Sequence, residues 1–254
     1  MTTRTINALR IIIARADLKN EEYDEIHGVA MRLADLHRDL HMEARTLLNR
    51  HDVNMNLYES IYNEDIDGVN NALALGAKPD GWFSNDLKRS TMLPPLHLAA
   101  GLPTRAISKR IVVRLLKAGA DPNYRSKWSR VTPLMRATMA ANLLTVKELL
   151  KAGADHALSD CDGETALCKL RGTTPQLKAM AKTIVTSGGD INVQNQRGAT
   201  PLHFYAGANA KRPFLECLLE LGANPSIRDC QGRTPFMWAV ARGNRDAMHL
   251  LLEW

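Results

Sequence analysis

Apolar residues recur along this chain at steps of three and four, in short bursts separated by glycine and proline. The pattern is clearest between Gly198 and Pro225. Leu202, Tyr205 and Ala206 share one helical face there, and Leu215, Leu218 and Leu219 share another. Thr200-Pro201 predicts a helix start, because threonine caps and a proline at the first helical position lacks only an N–H that would be orphaned anyway. Gly222 predicts the stop, where a left-handed residue is favoured. The resulting helix–turn–helix hairpin of about 33 residues is too small to bury its own apolar side, so it needs neighbours.

The sequence supplies them. Leu96, Leu134, Leu167, Leu202 and Phe236 occupy equivalent first-helix positions, at spacings of 38, 33, 35 and 34. Gly119-Ala120-Asp121, Gly153-Ala154-Asp155 and Gly222-Ala223-Asn224 close successive units. Six repeats are expected, near 57–80, 93–123, 131–156, 164–192, 199–225 and 233–254. The period, the Thr-Pro-Leu-His start and the Gly-Ala-Asp/Asn turn together resemble the ankyrin repeat from Leu57 to Trp254.

That resemblance implies an all-α fold: an ankyrin-type α-solenoid of helix–turn–helix repeats with finger loops. It also implies that His97 and His203 are structural, tying repeats together by hydrogen bonds. The chain departs from the pattern in places. Met135, Cys168 and Met237 stand where histidine is expected, which trades a polar tie for softer packing. Pro94 stands where threonine is expected. Repeat four has Ala166 for proline, Lys169-Leu170-Arg171 for a small-residue pair, and Gly188-Gly189, and is predicted to be the soft joint. About six extra residues fall in the loop Gly81–Arg89, and about four between the helices of repeat two, around Pro103–Ala106.

Residues 1–52 follow a different pattern, read as N-terminal helices. Ile6, Leu9, Ile12, Ile13 and Ala16 share a face, and Ile26, Val29, Leu33, Leu36, Leu40 and Leu47 form a longer stripe after Asn20. This segment is expected to be a helical cap or module. A coiled coil that dimerises through residues 20–48 and a separate partner-binding helix pair are the other readings. The Arg-bearing first sixteen residues look like a mitochondrial presequence, but the acidic cluster Glu21-Glu22-Asp24-Glu25 follows at once and argues against that. Leu250, Leu251, Leu252 and Trp254 are expected to lie uncovered unless a continuation, a partner or a second copy packs on them.

Composition narrows the function. The 254 residues carry a net charge of +6, which permits an acidic partner without demanding nucleic acid. Cys161, Cys168, Cys217 and Cys230 form no CxxC pair, so free thiols in a reducing, cytoplasmic setting are expected. No apolar run is long enough to span a bilayer. There is no Walker loop, GxGxxG, HExxH or G-x-S-x-G. His37 and His41 share a helical spacing but lack a third ligand. Neither enzyme chemistry, nor a cofactor, nor a metal site is expected.

In solenoids of this family the residue after the consensus histidine faces the hollow, and here that row reads Glu59, Leu98, Arg136, Lys169, Phe204 and Trp238. The finger loops add Arg125, Lys127, Trp128, Arg130, Arg197, Arg228 and Arg233. Trp82 and Phe83 in the inserted loop are a further hot-spot pair, or else fold back onto repeat one. A basic hollow ending in aromatics suits a protein partner with an acidic patch. The expected function is non-enzymatic capture of another protein, as scaffold, adaptor or stoichiometric inhibitor. Such arrays occur in eukaryotes and as effectors of intracellular bacteria and viruses, which would act in the host cytosol. Nucleic-acid binding through the basic fingers and a targeting arm of a larger protein are the rival readings.

Overall fold

The computed structural model describes residues 53–80, 93–208 and 210–254. The readings made for residues 1–52, and for the Trp82-Phe83 loop, lie outside the described residues. Residues Asn56–Trp254 form one compact unit, and the described residues contain helices but no strand.

The helices come in pairs. They are α1 (Val53–Tyr62) with α2 (Ile66–Ala74), α3 (Pro95–Ala100) with α4 (Arg105–Lys117), and α5 (Pro133–Met139) with α6 (Leu143–Lys151). A 3-10 turn (Ala166–Lys169) precedes α7 (Thr174–Thr186) in repeat four. Then come α8 (Pro201–Gly207) with α9 (Arg212–Glu220), and α10 (Pro235–Arg242) with α11 (Arg245–Glu253). First helices stack on first helices from α3 through α5, the 3-10 turn and α8 to α10. Second helices stack on second helices from α2 through α4, α6, α7 and α9 to α11. Two parallel rows of helices result, and the core lies between them.

Local chemistry explains several of the boundaries. Thr132 and Thr234 accept hydrogen bonds from the N–H groups of Met135 and Met237, and a proline follows each as the first helical residue. Asn142 and Asn244 cap α6 and α11, accepting from Thr145 and Ala247. Their amide groups donate backward to the Arg105 and Ala206 carbonyls, so each cap also binds the preceding repeat. Gly119 adopts φ +91 after α4, and the Ala120 N–H then reaches back to the Leu115 carbonyl at 3.0 Å. That is the six-to-one bond of a Schellman stop.

The buried stripe is the one the periodicity predicts. Leu202, Ala206, Leu215 and Leu218 are wholly buried, as are Leu57, Leu134, Leu149 and Phe214. Each leucine or phenylalanine of this set contributes roughly 1.5–3 kcal/mol on leaving water.

Three expectations are corrected. The four extra residues of repeat two do not lengthen the loop at Pro103–Ala106: α4 has 13 residues where α6 has nine, and Arg105 and Ala106 are helical. The insertion is a further helical turn. Its stripe gains Ser108, which donates to the Ala99 carbonyl at 2.7 Å and shares a hydrogen bond with Thr145. At the other end, Leu250 and Leu251 are buried against the array, and only Leu252 and Trp254 of that group are exposed. Met237, expected to soften packing in place of a histidine, is exposed.

Candidate partner-binding surface

The finger loops hang from a recurring polar pivot. Asp160, Asn195 and Asp229 are buried, and each side chain accepts two N–H groups from its own turn. Fingers then bond to one another: Cys161 N–H to the Ser129 carbonyl, Gln196 N–H to that of Asp162, and Cys230 N–H to that of Arg197. The sequence reading missed these pivots, although the repeated Asp-Cys-x-Gly at Asp160 and Asp229 was their visible signal.

The turn closing each later finger is a glycine with positive φ, at Gly163, Gly198 and Gly232. The finger before repeat three differs. It pivots on Ser126, and Arg130 takes the left-handed conformation at φ +53 without being glycine. At its tip Trp128 is 74% exposed, with the Lys127 ammonium 5.3 Å from its ring centroid. Arg125, at the root of this finger, is half-buried with its Nε lacking a hydrogen-bond partner.

The row after the consensus histidine behaves unevenly. Arg136 is half-buried against Gly101, where an added Cβ would come within 2.9 Å of its guanidinium. Burial lowers its pKa, its Nε has no hydrogen-bond partner, and no carboxylate pairs with it among the described residues. Lys169 was expected to be a free cation of the hollow. Instead it is ion-paired within its own repeat, with Asp160 at 2.7 Å and with Glu164. Burial lowers its pKa, but the two carboxylates outweigh this and raise it. Arg233 is likewise tied to Asp229 at 2.8 Å. Arg228 donates to the Gly232 carbonyl, while Arg197 stays exposed on its finger.

Phe204 and Trp238 are brought together, ring centroids 5.8 Å apart in an edge-to-face pair, and both are half-buried. Trp238 also meets His203 edge-on and donates its indole N–H to Asp229 at 2.9 Å, with the Arg233 guanidinium 5.1 Å from its ring. Burial pushes the Asp229 carboxyl up, yet bonds from Arg233, Trp238 and Gln231 win and hold it well below the usual carboxylate range. Trp238 is therefore as much a packing strut between repeats five and six as an open aromatic.

The histidines bind repeats together, as the resemblance implies. His203 Nε2 donates to the Arg233 carbonyl at 3.0 Å, while its Nδ1 accepts from the Thr200 N–H and hydroxyl. His97 Nε2 donates to the Val131 carbonyl at 2.8 Å, but its Nδ1 has no partner, because Pro94 offers neither an N–H nor a hydroxyl. All four cysteines are free thiols, and burial with the nearby Glu164 carboxylate pushes Cys168 up to about 12. No helix among the described residues is long and apolar enough to cross a membrane.

Comparison with known proteins agrees with this geometry. A family model for ankyrin repeats (three copies) matches residues 175–254, and a single ankyrin repeat model matches residues 93–127. An ankyrin repeat protein of Fowlpox virus (strain NVSL), FPV230, is 27% identical over 164 residues, covering 52% of this chain and 87% of its own length. Ankyrin repeat and SOCS box protein 16 of Mus musculus is 35% identical over 118 residues, 44% of this chain and 26% of that protein. The mouse B-cell lymphoma 3 protein homolog is 31% identical over 162 residues, 62% of this chain and 36% of that protein. The match thus spans about a third or less of the two mouse proteins. Ankyrin repeats are a protein-interaction fold without enzymatic chemistry of their own. Residues 93–127 and 175–254 are thus ankyrin repeats, and the paired helices, finger loops and histidine ties show the same architecture across the described residues.

Proposed function

We propose that this chain captures a partner protein stoichiometrically on its finger and first-helix face, as scaffold, adaptor or inhibitor. The observation that carries the reading is Trp128, 74% exposed at the tip of the one described finger whose turn forces a non-glycine residue left-handed. Tryptophan is enriched among interface hot spots, and local backbone strain clusters at ligand-binding segments. Arg136, half-buried with no carboxylate of its own, supplies the nearest reason to specify an acidic patch on the partner. Lys127, Arg130, Arg125 and Arg197 add to that charge, and Phe204 with Trp238 form an apolar margin further along. Lys169, Arg228 and Arg233 contribute less, since each is already engaged within the array.

Residues 1–52 would then be a separate helical cap or module, and the Trp82-Phe83 loop an additional contact. The likeness to a Fowlpox virus protein favours a second reading, in which the capture serves a virus- or pathogen-encoded effector in the host cytosol.

Affinity capture from host-cell lysate tests the proposal, comparing wild type with Trp128→Ala/Arg136→Gln after both show the same helical circular dichroism. A protein retained by wild type and lost from the variant supports the surface. Equal retention by both overturns it. Recovery of nucleic acid alone, falling steeply with salt, would move the assignment to the rival class.

A further inference from the structure

Not all the cations of this molecule lie on the face where the repeat pattern would put its binding site. On the finger face Lys169 and Arg233 are ion-paired internally. On the second-helix row, α4 carries Arg105, Lys109, Arg110, Arg114 and Lys117 and no acidic residue. Lys109 pairs with Glu148 of α6 at 3.1 Å, and Arg114 donates to the Asn70 amide oxygen at 2.5 Å. Arg110 and Lys117 are exposed and meet no carboxylate among the described residues.

Between α2 and α4 these side chains line an open pocket of about 610 Å³. Its walls hold Lys109, Arg110, Arg114 and Lys117 together with Leu73 and Val113, and no acidic residue among the described residues lines it, the Glu148 carboxylate that pairs with Lys109 standing outside the lining. Positions 109, 110, 113, 114 and 117 form one stripe, about 12 Å long at 1.5 Å per residue. Asn70 holds the Arg114 guanidinium in place without neutralising it. The site is elongated, cationic along its length, and apolar in between.

We propose that this pocket binds an acidic peptide segment of a partner protein, with carboxylates on Arg110, Arg114 and Lys117 and an apolar side chain against Leu73 and Val113. Each part of the lining selects for that occupant. A bare inorganic anion would leave Leu73 and Val113 unused. A nucleic-acid strand would call for bases stacked on aromatic rings, and no aromatic side chain lines the pocket. A segment bearing carboxylates on either side of an apolar residue satisfies both halves of the wall, and laying it in a groove between two helices is an established recognition geometry. The site sits on the second-helix row and is independent of the finger-face reading.

The test is fluorescence anisotropy on the full chain, with a labelled synthetic peptide of glutamates flanking a leucine. Arg110→Glu/Lys117→Glu reverses the two exposed charges. Lys147→Glu/Lys151→Glu on α6 makes the same net change outside the pocket, and Trp128→Ala separates this site from the fingers. The proposal expects saturable binding, weakened roughly tenfold or more by the α4 pair and little changed by the other two variants. Equal weakening by the α4 and α6 pairs would mean diffuse charge attraction and would overturn it, as would no weakening by either. Undiminished affinity for a peptide with serine in place of the leucine would reassign the pocket to bare anions. Tighter binding of a single-stranded oligonucleotide or an anionic vesicle, lost in the same α4 variant, would reassign it to that class.

Discussion

Single residues here show what the repeat pattern costs when it is broken. His97 is wholly buried, with Nδ1 facing no partner because Pro94 replaced the threonine. Burial lowers its pKa to about 4, against the opposing effect of the Val131 hydrogen bond and with help from the Arg136 charge. The unfolded chain, with a histidine near 6.5, therefore binds the proton more readily than the folded one. Stability from this group is complete above pH 6.5 and is lost as pH falls toward 4, by roughly 3 kcal/mol in all. Urea midpoints measured across that window should fall less steeply for His97→Met, which copies Met135 at the same place in repeat three, than for wild type. Three described non-glycine residues take the left-handed conformation, Glu64 at φ +57, Arg130 at φ +53 and Ala141 at φ +54. Gly243 occupies the place of Ala141 in repeat six, again left-handed and just before an asparagine cap. Arg130→Gly and Ala141→Gly should each stabilise the fold by about 1 kcal/mol in chemical denaturation. Only Arg130→Gly should weaken partner capture, because only Arg130 shapes the Trp128 finger.

Among the elements, repeat four is the exception. From Leu167 to the cap at Thr173 there are six residues, where repeats two, three and six allow eight before the second helix is capped. There is no room for a second turn, so the first helix shrinks to the 3-10 turn Ala166–Lys169 and Leu170 leaves it extended. The orphaned backbone groups find a side chain instead. Tyr205 of repeat five accepts from the Leu170 N–H and donates to the Leu167 carbonyl, both at 2.9 Å. Burial keeps that phenol protonated, its pKa raised well above the ordinary value. Tyr205→Phe strands a buried donor and acceptor and should cost about 1–3 kcal/mol. Amide exchange should accelerate first at Leu170 and its neighbours, and uniform acceleration across all repeats would refute a joint localised there. The soft joint expected from Ala166, Lys169 and Gly188 would therefore rest on a different basis, a shortened first helix bridged by a neighbour's tyrosine. The 35-residue spacing to Leu202 hid it, because α7 gained a turn while the first helix lost one.

At the level of the whole molecule, each repeat packs only on its neighbours, so stability accumulates along the array and a weak joint is felt locally. Charge is distributed by row. The net +6 reads as a uniformly basic protein. In the fold, the finger-face cations Lys169 and Arg233 are consumed by Asp160, Glu164 and Asp229, while Arg110 and Lys117 of α4 meet no carboxylate among the described residues. Two separate faces follow, one bearing an exposed tryptophan and one a cationic groove.

The helix pairs, their order and their buried stripes were legible in the chain alone, because periodicity, Thr-Pro starts and Gly-Ala stops act within a few residues of each other. So were the structural roles of His97 and His203, which follow from the repeat. Which cations stay free was not legible. Lys169 and Arg136 are equivalent by position, yet one meets two carboxylates and the other meets Gly101. Whether four inserted residues lengthen a loop or a helix was equally undecided, since Arg105 and Ala106 suit both. Those outcomes depend on which side chains the stacking of repeats brings within a few ångströms. Distance of that kind is created by packing and has no period along the sequence.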